Sequence, residues 1–197
     1  MTIAGVVLAG GKSSRFGKPK MFEEYNDIPF FQHSVNALID AGIKSTYVIT
    51  NNEFSTQFIQ TSANILIETK PHNGPLYAIT FAMHSIPDYE WFFILAADIP
   101  FVTSAFITSL LEHTNTQSID AIIPVTEENE QPLLAIYHRR CLPYANELLV
   151  NNKRSVRPLL KAVNTKYVHY SNEYKDFTNI NYETDWKPYK GKGEEEL

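Results

Sequence analysis

The sequence predicts an α/β fold, a three-layer α/β/α arrangement in which a mostly parallel central sheet lies between two layers of helices. Short apolar segments alternate with segments of helical length along most of the chain. The first apolar segment, Ile3 to Leu8, is rich in β-branched residues and ends just before a glycine pair, as a strand buried on both faces of a parallel sheet does. The length of 197 residues suits a single α/β domain with a substantial core.

The elements follow from this pattern in chain order. Pro29 suits the first turn of a helix, Gly42 suits a helix end, and the apolar run from Trp91 to Ala97 indicates a buried strand. The predicted elements are strand 3–8, helix 29–41, strand 45–50, helix 53–61, strand 64–67, helix 75–85, strand 91–96, helix 103–113, strands 119–124 and 133–137, helices 139–150 and 155–162, and strand 166–170.

The domain organisation is predicted to be simple. Residues 1–186 form one domain, and residues 187–197 form a mobile C-terminal tail, because 190–196 contains only charged residues and glycine. The single cysteine, Cys141, has no disulfide partner and no metal-ligand neighbour, so we expect a small buried apolar residue there.

Charge and hydropathy exclude several classes of function. A formal net charge of -5 argues against broad nucleic-acid binding, which needs a basic face. No stretch approaches the roughly 20 apolar residues that cross a bilayer. The chain begins with its first strand and not with a signal segment, so we expect a cytoplasmic protein without membrane contact.

The segment from Leu8 to Lys20 carries the strongest chemical signal, because it predicts a loop that holds a nucleoside triphosphate. Gly10 and Gly11 lack a Cβ, so the backbone can reach left-handed conformations and bring amide N–H groups close to phosphate oxygens. Arg15 offers a planar fork for two phosphate oxygens, and Lys20 offers a mobile point charge.

Other phosphate-binding loops do not fit this spacing of glycines. The segment matches neither G-x-x-x-x-G-K-[ST] nor G-x-G-x-x-G, and the second mismatch argues against a dinucleotide-dependent oxidoreductase. A structural turn that carries solvated basic residues, among them Lys18, remains an alternative from the residues alone.

Asp98 is the second chemical feature. It follows a buried apolar run, and open α/β sheets bind ligands at the carboxyl ends of such strands. A carboxylate at that position is expected to bind Mg²⁺, which prefers one or two carboxylates together with phosphate oxygens and water. The residues alone leave open a helix-capping or turn-initiating aspartate before Pro100.

The loop resembles the signature of the small nucleotidyltransferases, and most closely that of the molybdenum cofactor guanylyltransferases. Every fixed position of L-A-G-G-x-S-x-R-x-G-x-x-K is present between residues 8 and 20. The resemblance covers about residues 3 to 185, because it continues at Gly74-Pro75-Leu76, Asp98-Ile99-Pro100, Gln131-Pro132-Leu133 and Asn179-Ile180-Asn181.

The resemblance implies a Rossmann-like nucleotidyltransferase fold and magnesium-dependent transfer of GMP from GTP to molybdenum-molybdopterin, with release of pyrophosphate. Arg15, Lys20 and Asp98 are the expected catalytic residues, and Asp98 is the metal ligand. The expected nucleotide-binding residues are Leu8, Ala9, Gly10, Gly11, Lys20, Asn51, Glu68 and Asp98.

For two of these residues, Asn51 and Glu68, the sequence leaves an alternative to the implied role in nucleotide binding. Asn51 follows a strand and should face the crevice, where the family uses an asparagine, but it could equally cap a helix. The family reads the base with an aspartate upstream of its Gly-Pro-Leu, and Glu68 stands in that region instead. This departure leaves cytosine open as the preferred base, since base discrimination needs accurate placement.

The acceptor substrate is expected to contact Gly74, Pro75, Arg154, Arg157, Asn179 and Asn181. The Gly-Pro pair would direct free amides into the crevice from a helix start, where they could contact either the nucleotide or the acceptor. The two arginines lie three residues apart on one helical face and could hold a phosphate, and the two asparagines lie on the side where the family binds its acceptor. A solvated basic face and a polar edge are the alternatives.

Partners are implied as well. Transient contacts are expected with other proteins of molybdenum cofactor biosynthesis or with the enzymes that receive the cofactor. Alternatives to the guanylyltransferase are a cytidylyltransferase, a small nucleotidyltransferase with another acceptor, and a non-catalytic nucleotide sensor, which would need neither Lys20 nor Asp98.

Overall fold

A computed structural model describes residues 2–59, 61–116, 118–127, 129–172 and 174–190. Its strands are β1 (Ile3–Leu8), β2 (Glu24–Tyr25), β3 (Ile28–Pro29), β4 (Thr46–Thr50), β5 (Asn64–Ile67), β6 (Trp91–Ala96), β7 (Ala121–Val125), β8 (Leu134–His138) and β9 (Thr165–His169). Its α-helices are α1 (Phe30–Asp40), α2 (Pro75–Ser85), α3 (Ser104–Leu111), α4 (Leu142–Val150), α5 (Arg157–Ala162) and α6 (Glu183–Trp186).

The central sheet has seven strands in the order β5-β4-β1-β6-β8-β7-β9. Strand β8 runs antiparallel to β6 and β7, and the other neighbours pair in parallel. Leu8, at the end of β1, pairs with Ile49 on one side and Ala96 on the other. The carboxyl ends of β1, β4 and β6 therefore meet at one edge of the sheet, and the predicted mostly parallel sheet is confirmed.

Helices cover both faces of the sheet, which confirms the three layers. Alternate residues of β6 point to opposite faces, as a strand requires. Phe93 and Leu95 pack in the core beneath α1 and α3, whereas Phe92 and Ile94 pack beneath α2, α4 and α5. These four side chains are fully buried, and burial of each contributes roughly 1.5–3 kcal/mol to folding.

The helix predicted at 53–61 is wrong for the described residues, which form only a short 3-10 helix at Ser55–Gln57; residue 60 lies outside them. Phe54 and Phe58 are buried and four residues apart, a spacing that is compatible with a helix, although the segment does not form an α-helix. The polar side chains compete with helical hydrogen bonding, because Asn51 Oδ1 accepts from the Phe54 N–H and Ser55 Oγ donates to the carbonyl of Asn52.

Other boundaries differ by a few residues. Pro29 pairs with Glu24 in the short β2–β3 hairpin, so α1 begins one residue later than predicted. Gly42 has φ +87° immediately after α1, as expected for a helix end. Helix α4 starts later than predicted because residues 139–141 form a 3-10 turn. Helix α5 also starts later, at Arg157.

An aromatic cluster joins the N-terminal loop to the C-terminal segment. Its members are Phe16, Tyr25, Phe30, Ile180 and Trp186, with Phe101 and Tyr189 packed against them. The sequence analysis missed α6, the short helix that carries Trp186 into this cluster. Residues 191–197 of the predicted tail lie outside the described residues, so its mobility stays a prediction.

Within the described ranges, no helix has the length and apolar character needed to cross a membrane.

Candidate active site

The glycine loop leaves the sheet between two neighbouring strands. The N–H of Ala9 donates to the carbonyl of Ile49, at 2.8 Å, and the N–H of Ala97 donates to that of Leu8, at 3.1 Å. The loop begins where these bonds end, at the carboxyl edge of the sheet. This is the edge at which open α/β sheets bind ligands.

The backbone of the loop differs from expectation. Neither Gly10 nor Gly11 has positive φ; Ser13, at +48°, and Gly17, at +86°, take the left-handed conformations. The absence of a side chain at the two glycines affects instead the space beside the loop. A Cβ on Gly11 would meet no atom within 4 Å, and one on Gly10 would lie 3.3 Å from Oε2 of Glu68.

Beside this loop is a cavity of about 490 Å³. The predicted site residues that line it are Leu8, Ala9, Gly10, Gly11, Arg15, Lys20, Glu68, Gly74, Pro75, Asp98 and Asn181. The fold thus brings together residues from both ends of the chain. The volume lies within the 300–1,000 Å³ that is typical of small-molecule sites.

Lys20 and Asp98 form the polar centre of the cavity. Lys20 Nζ lies 2.5 Å from Oδ2 of Asp98, 3.0 Å from the carbonyl oxygen of Ile180 and 3.1 Å from Oδ1 of Asn181. Three acceptors thus surround an ammonium group that has three N–H donors. The backbone of Lys20 is held in place as well, because its N–H donates to Ser13 Oγ at 3.2 Å.

One of the two carboxylate oxygens of Asp98 has no hydrogen-bond partner among the described residues. This oxygen, Oδ1, is buried, whereas Oδ2 is paired with Lys20. Buried carboxylate oxygens are costly without a partner, and a hard cation is a suitable one. The described residues contain no group of three or more His, Cys, Asp or Glu residues that could hold a metal. The donor set therefore fits Mg²⁺ bound by one carboxylate, phosphate oxygens and water.

Glu68 lies beside Gly10 on the wall of the cavity. It is only 7% exposed, and its carboxylate has no hydrogen-bond or ion-pair partner among the described residues. Burial raises its pKa to about 7. The group is a carboxyl that lines the cavity and has bonding capacity left for a ligand.

Gly74 and Pro75 form the rim at the start of α2. Gly74 has φ +85°, and a Cβ there would lie 3.0 Å from both the Cβ and the carbonyl oxygen of Arg154. That carbonyl accepts from the N–H of Leu76, at 3.1 Å. The contact requires glycine, and it places the backbone of Arg154 directly behind the rim.

Four predicted site residues do not line the cavity. One of them, Arg154, precedes α5, so the two arginines do not share a helical face as predicted. Asn51 is 2% exposed, and its amide donates to the carbonyl of Gly10 while its Oδ1 accepts from Phe54, so the capping alternative describes its contacts. Arg157 is exposed and lies 3.7 Å from Glu130. Asn179 donates to the carbonyl of Phe177, at 3.3 Å.

Several cavity residues were not singled out from the sequence. They are Ser13, Ser14, Met21, Ile49, His72, Ala78, Ala96, Ala97 and Leu133. Two signals were present: the serines lie within the signature loop, and Leu133 ends the Gln131-Pro132-Leu133 motif. His72, which has φ +63°, carries no such signal.

A parallel sheet with a glycine loop and a lysine–aspartate pair at its carboxyl edge defines a class of nucleotide-binding α/β proteins. The family model described as the MobA-like NTP transferase domain matches residues 5–168. The chain belongs to this family and is a nucleotidyltransferase, as the resemblance of its signature loop predicted.

Individual proteins agree with this assignment. The chain is 38% identical, over 168 residues, to a probable molybdenum cofactor guanylyltransferase of Bacillus mycoides, a match that covers 84% of this chain and 82% of that protein. The molybdopterin-guanine dinucleotide biosynthesis protein A of Archaeoglobus fulgidus superposes with a TM-score of 0.76 at 21% identity, over 94% of this chain and 95% of that one. A CTP complex of CMP:2-keto-3-deoxy-manno-octonic acid synthetase superposes with a TM-score of 0.75 at 12% identity, over 95% of this chain and 96% of that one. These structures share the fold.

Proposed function

We propose that this protein transfers GMP from GTP to molybdenum-molybdopterin in the cytoplasm, in a magnesium-dependent reaction that releases pyrophosphate. The relatives named as probable molybdenum cofactor guanylyltransferases, at 35–38% identity over most of the chain, support this choice of substrates. The observation that carries the proposal is the Lys20–Asp98 pair, which lies in the cavity beside the glycine loop.

The proposed reaction is a single in-line displacement. A phosphate oxygen of the acceptor forms a bond to the α-phosphorus of GTP while the bond from that phosphorus to the bridging oxygen of the β-phosphate breaks. Pyrophosphate leaves, and no covalent enzyme intermediate is formed. The protein contributes orientation and charge stabilisation, which suit phosphoryl chemistry.

Arg15 and Lys20 are the cations for the phosphates in this proposal. Because all three acceptors around Lys20 Nζ are protein atoms, a phosphate oxygen would replace one of them when the nucleotide binds. Oδ2 of Asp98 is the acceptor that competes most directly with phosphate, since both are anionic oxygens. Asp98 would then be free to bind Mg²⁺.

Asp98 would hold the metal, with oxygens of the triphosphate and water completing its shell. When bound, Mg²⁺ neutralises negative charge on the phosphates and helps to orient them. The unpartnered Oδ1 of Asp98 supports this assignment.

Base recognition is assigned to Glu68, with the backbone of Leu8, Ala9, Gly10 and Gly11 along the same wall. An ionised carboxylate can accept from the two neighbouring N–H donors of guanine, whereas cytosine presents an acceptor and a donor on its pairing edge. Asn51 would act on the nucleotide indirectly, because its amide holds the carbonyl of Gly10.

The acceptor is assigned to the side of the cavity formed by Gly74, Pro75 and Asn181. Arg154 lies behind this rim, and Arg157 and Asn179 lie further away, so they would contact only a large acceptor or one delivered by a partner protein. Transient contacts with cofactor-supplying or cofactor-receiving enzymes are part of the proposal, and nucleic acid and membrane are not.

Calorimetry with GTP, CTP, ATP and UTP, with and without Mg²⁺, tests the nucleotide and the metal together. Preference for GTP that depends on Mg²⁺ and weakens in Asp98→Asn supports the proposal. Preference for CTP would make the protein a cytidylyltransferase, and binding without pyrophosphate release in the presence of molybdopterin would favour a nucleotide sensor.

A further inference from the structure

We propose that Asp185 is a positioning residue for Lys20: its carboxylate fixes the backbone turn that carries two of the three acceptors around the lysine ammonium group. The catalytic meaning of this inference rests on the proposed function. The positional claim itself concerns only contacts within the protein.

The carboxylate of Asp185 holds the turn after Asn181. Its Oδ2 accepts from the N–H of Asn181 at 3.0 Å and from the N–H of Tyr182 at 2.8 Å. An ionised acceptor makes stronger hydrogen bonds than a neutral one. The backbone of Asn181 is therefore anchored on the side away from the cavity.

The same turn presents its acceptors to Lys20. The carbonyl of Ile180 and Oδ1 of Asn181 both accept from Lys20 Nζ, at 3.0 and 3.1 Å. On its other side, the N–H of Ile180 donates to the carbonyl of Asp98, also at 3.0 Å. The turn thus spans the two members of the ion pair, and Asp185 is the side chain that closes it.

The aromatic cluster anchors the turn at both ends. The side chain of Ile180 is fully buried there, and Trp186, the residue after Asp185, packs against Phe30 with ring centroids 4.8 Å apart. The cluster sets where the turn lies in the fold, whereas Asp185 sets how the turn is folded. Loss of the carboxylate should therefore release Asn181 without removing the cluster.

Release of Asn181 would change which acceptors contact the ammonium group of Lys20. With Asn181 Oδ1 displaced, the ammonium group keeps Asp98 as its main partner, and an ion pair closed in this way competes with both phosphate and metal. The cost should fall on the chemical step more than on binding of the base, since Glu68 lies elsewhere in the cavity.

Chemical labelling of lysines tests the position of Lys20 without any substrate. An amine-reactive acetylating reagent, read by peptide mass spectrometry, should modify the largely buried Lys20 several-fold more slowly than the exposed Lys12 in the wild-type protein. Asp185→Ala should raise labelling of Lys20 several-fold and leave Lys12 unchanged. Asp185→Asn, which keeps a side-chain oxygen acceptor, should lie between the two.

Asp120→Ala is the matched control. Its carboxylate also accepts from a backbone N–H, that of Asn164 at 3.1 Å, and pairs with Arg140 at 2.7 Å, but it precedes β7 at the opposite edge of the sheet. This variant should lose stability without changing the labelling of Lys20. Equal labelling of Lys20 in wild type and in both Asp185 variants would overturn the inference, as would an equal rise in Asp120→Ala.

A mutant cycle links the position to turnover. Asp185→Ala should lower kcat by roughly tenfold, with KM for GTP changed less than about threefold, and should have little further effect in an Asn181→Ala background. Full additivity of the two losses would overturn the positioning role. If the wild-type protein releases no pyrophosphate, the proposed function fails, and the labelling result still decides the position.

Discussion

Lys20 Nζ and Asp98 Oδ2 lie 2.5 Å apart although 78 residues separate them in the chain. Both side chains are more than four-fifths buried. Removal of one member leaves the other charge without its partner in a poorly solvated place. The pair therefore couples the glycine loop to the end of β6, and substitutions of either residue are expected to act on the same centre.

Lys20→Ala should lower turnover by roughly a hundredfold or more, because it removes a charged donor from the phosphates in the transition state. Pyrophosphate release under saturating GTP measures this, and circular dichroism verifies the fold. Lys18→Ala is the control on the same loop, since Lys18 is exposed and pairs with Glu23. Near wild-type turnover in Lys20→Ala would contradict the role given to this residue.

Asp98→Asn should weaken the dependence of GTP binding on Mg²⁺, because the neutral amide is a poorer ligand for a hard cation. Calorimetric titrations of GTP at several Mg²⁺ concentrations measure the effect. Affinity without the metal should change less, since the substitution keeps the size of the side chain. A metal dependence equal to that of wild type would remove Asp98 from the proposed metal site.

Glu68 should make stability depend on pH. Burial raises its pKa from 4.5 to about 7, so between these values the folded protein holds a proton that the unfolded chain has released. The contribution of Glu68 to the free energy of unfolding therefore decreases as pH rises through this window. Urea unfolding at about pH 5, 6, 7 and 8 should show the decrease in wild type relative to Glu68→Gln.

GTP binding should reverse the protonation of Glu68. Guanine N–H donors favour the ionised carboxylate, so binding near neutral pH should release a proton and the affinity should increase with pH through about 7. Calorimetry in buffers of different ionisation enthalpy measures the proton count. Glu68→Gln should abolish that release, and an unchanged count would show that another group titrates.

Arg139 should be a major determinant of stability. Its guanidinium group lies 5.0 Å from the ring centroid of Phe92 and donates to three backbone carbonyls. Those carbonyls belong to Tyr89 at 2.7 Å, Met83 at 2.6 Å and Ile86 at 2.6 Å. A lysine ammonium group cannot reproduce this planar fork, so Arg139→Lys should reduce the free energy of unfolding by about 2–3 kcal/mol.

The matched control for Arg139 is Arg157→Lys. Arg157 is 65% exposed and has a single ion-pair contact at 3.7 Å, so its substitution should change stability by less than about 0.5 kcal/mol. Chemical denaturation of both variants gives the comparison. Similar losses for the two would contradict the structural role of Arg139.

Periodicity predicted the sheet because each strand is a local pattern. β1 and β6 are continuous apolar runs, and both were located to the residue. The predicted helix at 53–61 was wrong because Asn51 and Ser55 make side-chain hydrogen bonds to the backbone there, although Phe54 and Phe58 have helical spacing. Local spacing alone does not distinguish these two outcomes.

The sequence predicted most of the residues of the candidate site but not the contacts that they make with one another. The sequence treated Asp98 and Asn51 alike, each as a ligand-binding residue or a cap. In the fold, Asp98 points to Lys20, and Asn51 holds the backbone of Gly10 and Phe54. Contacts of this kind depend on which distant segment closes over the strand end, and composition and spacing do not contain that information. Asp185 was missed for the same reason.

The reversed direction of β8 has a consequence for how such a protein can change over time. Because β8 runs against β6, its first residues arrive at the cavity edge, where the carbonyl of Leu133 accepts from the N–H of Ala96 at 2.8 Å. Under the proposed function, the residues on the nucleotide side come from the first hundred positions, whereas the acceptor side combines Gly74 and Pro75 with Asn181 from the C-terminal segment. Substitutions in the C-terminal segment would then alter acceptor contacts while leaving the wall formed by Leu8, Ala9 and Glu68 unchanged.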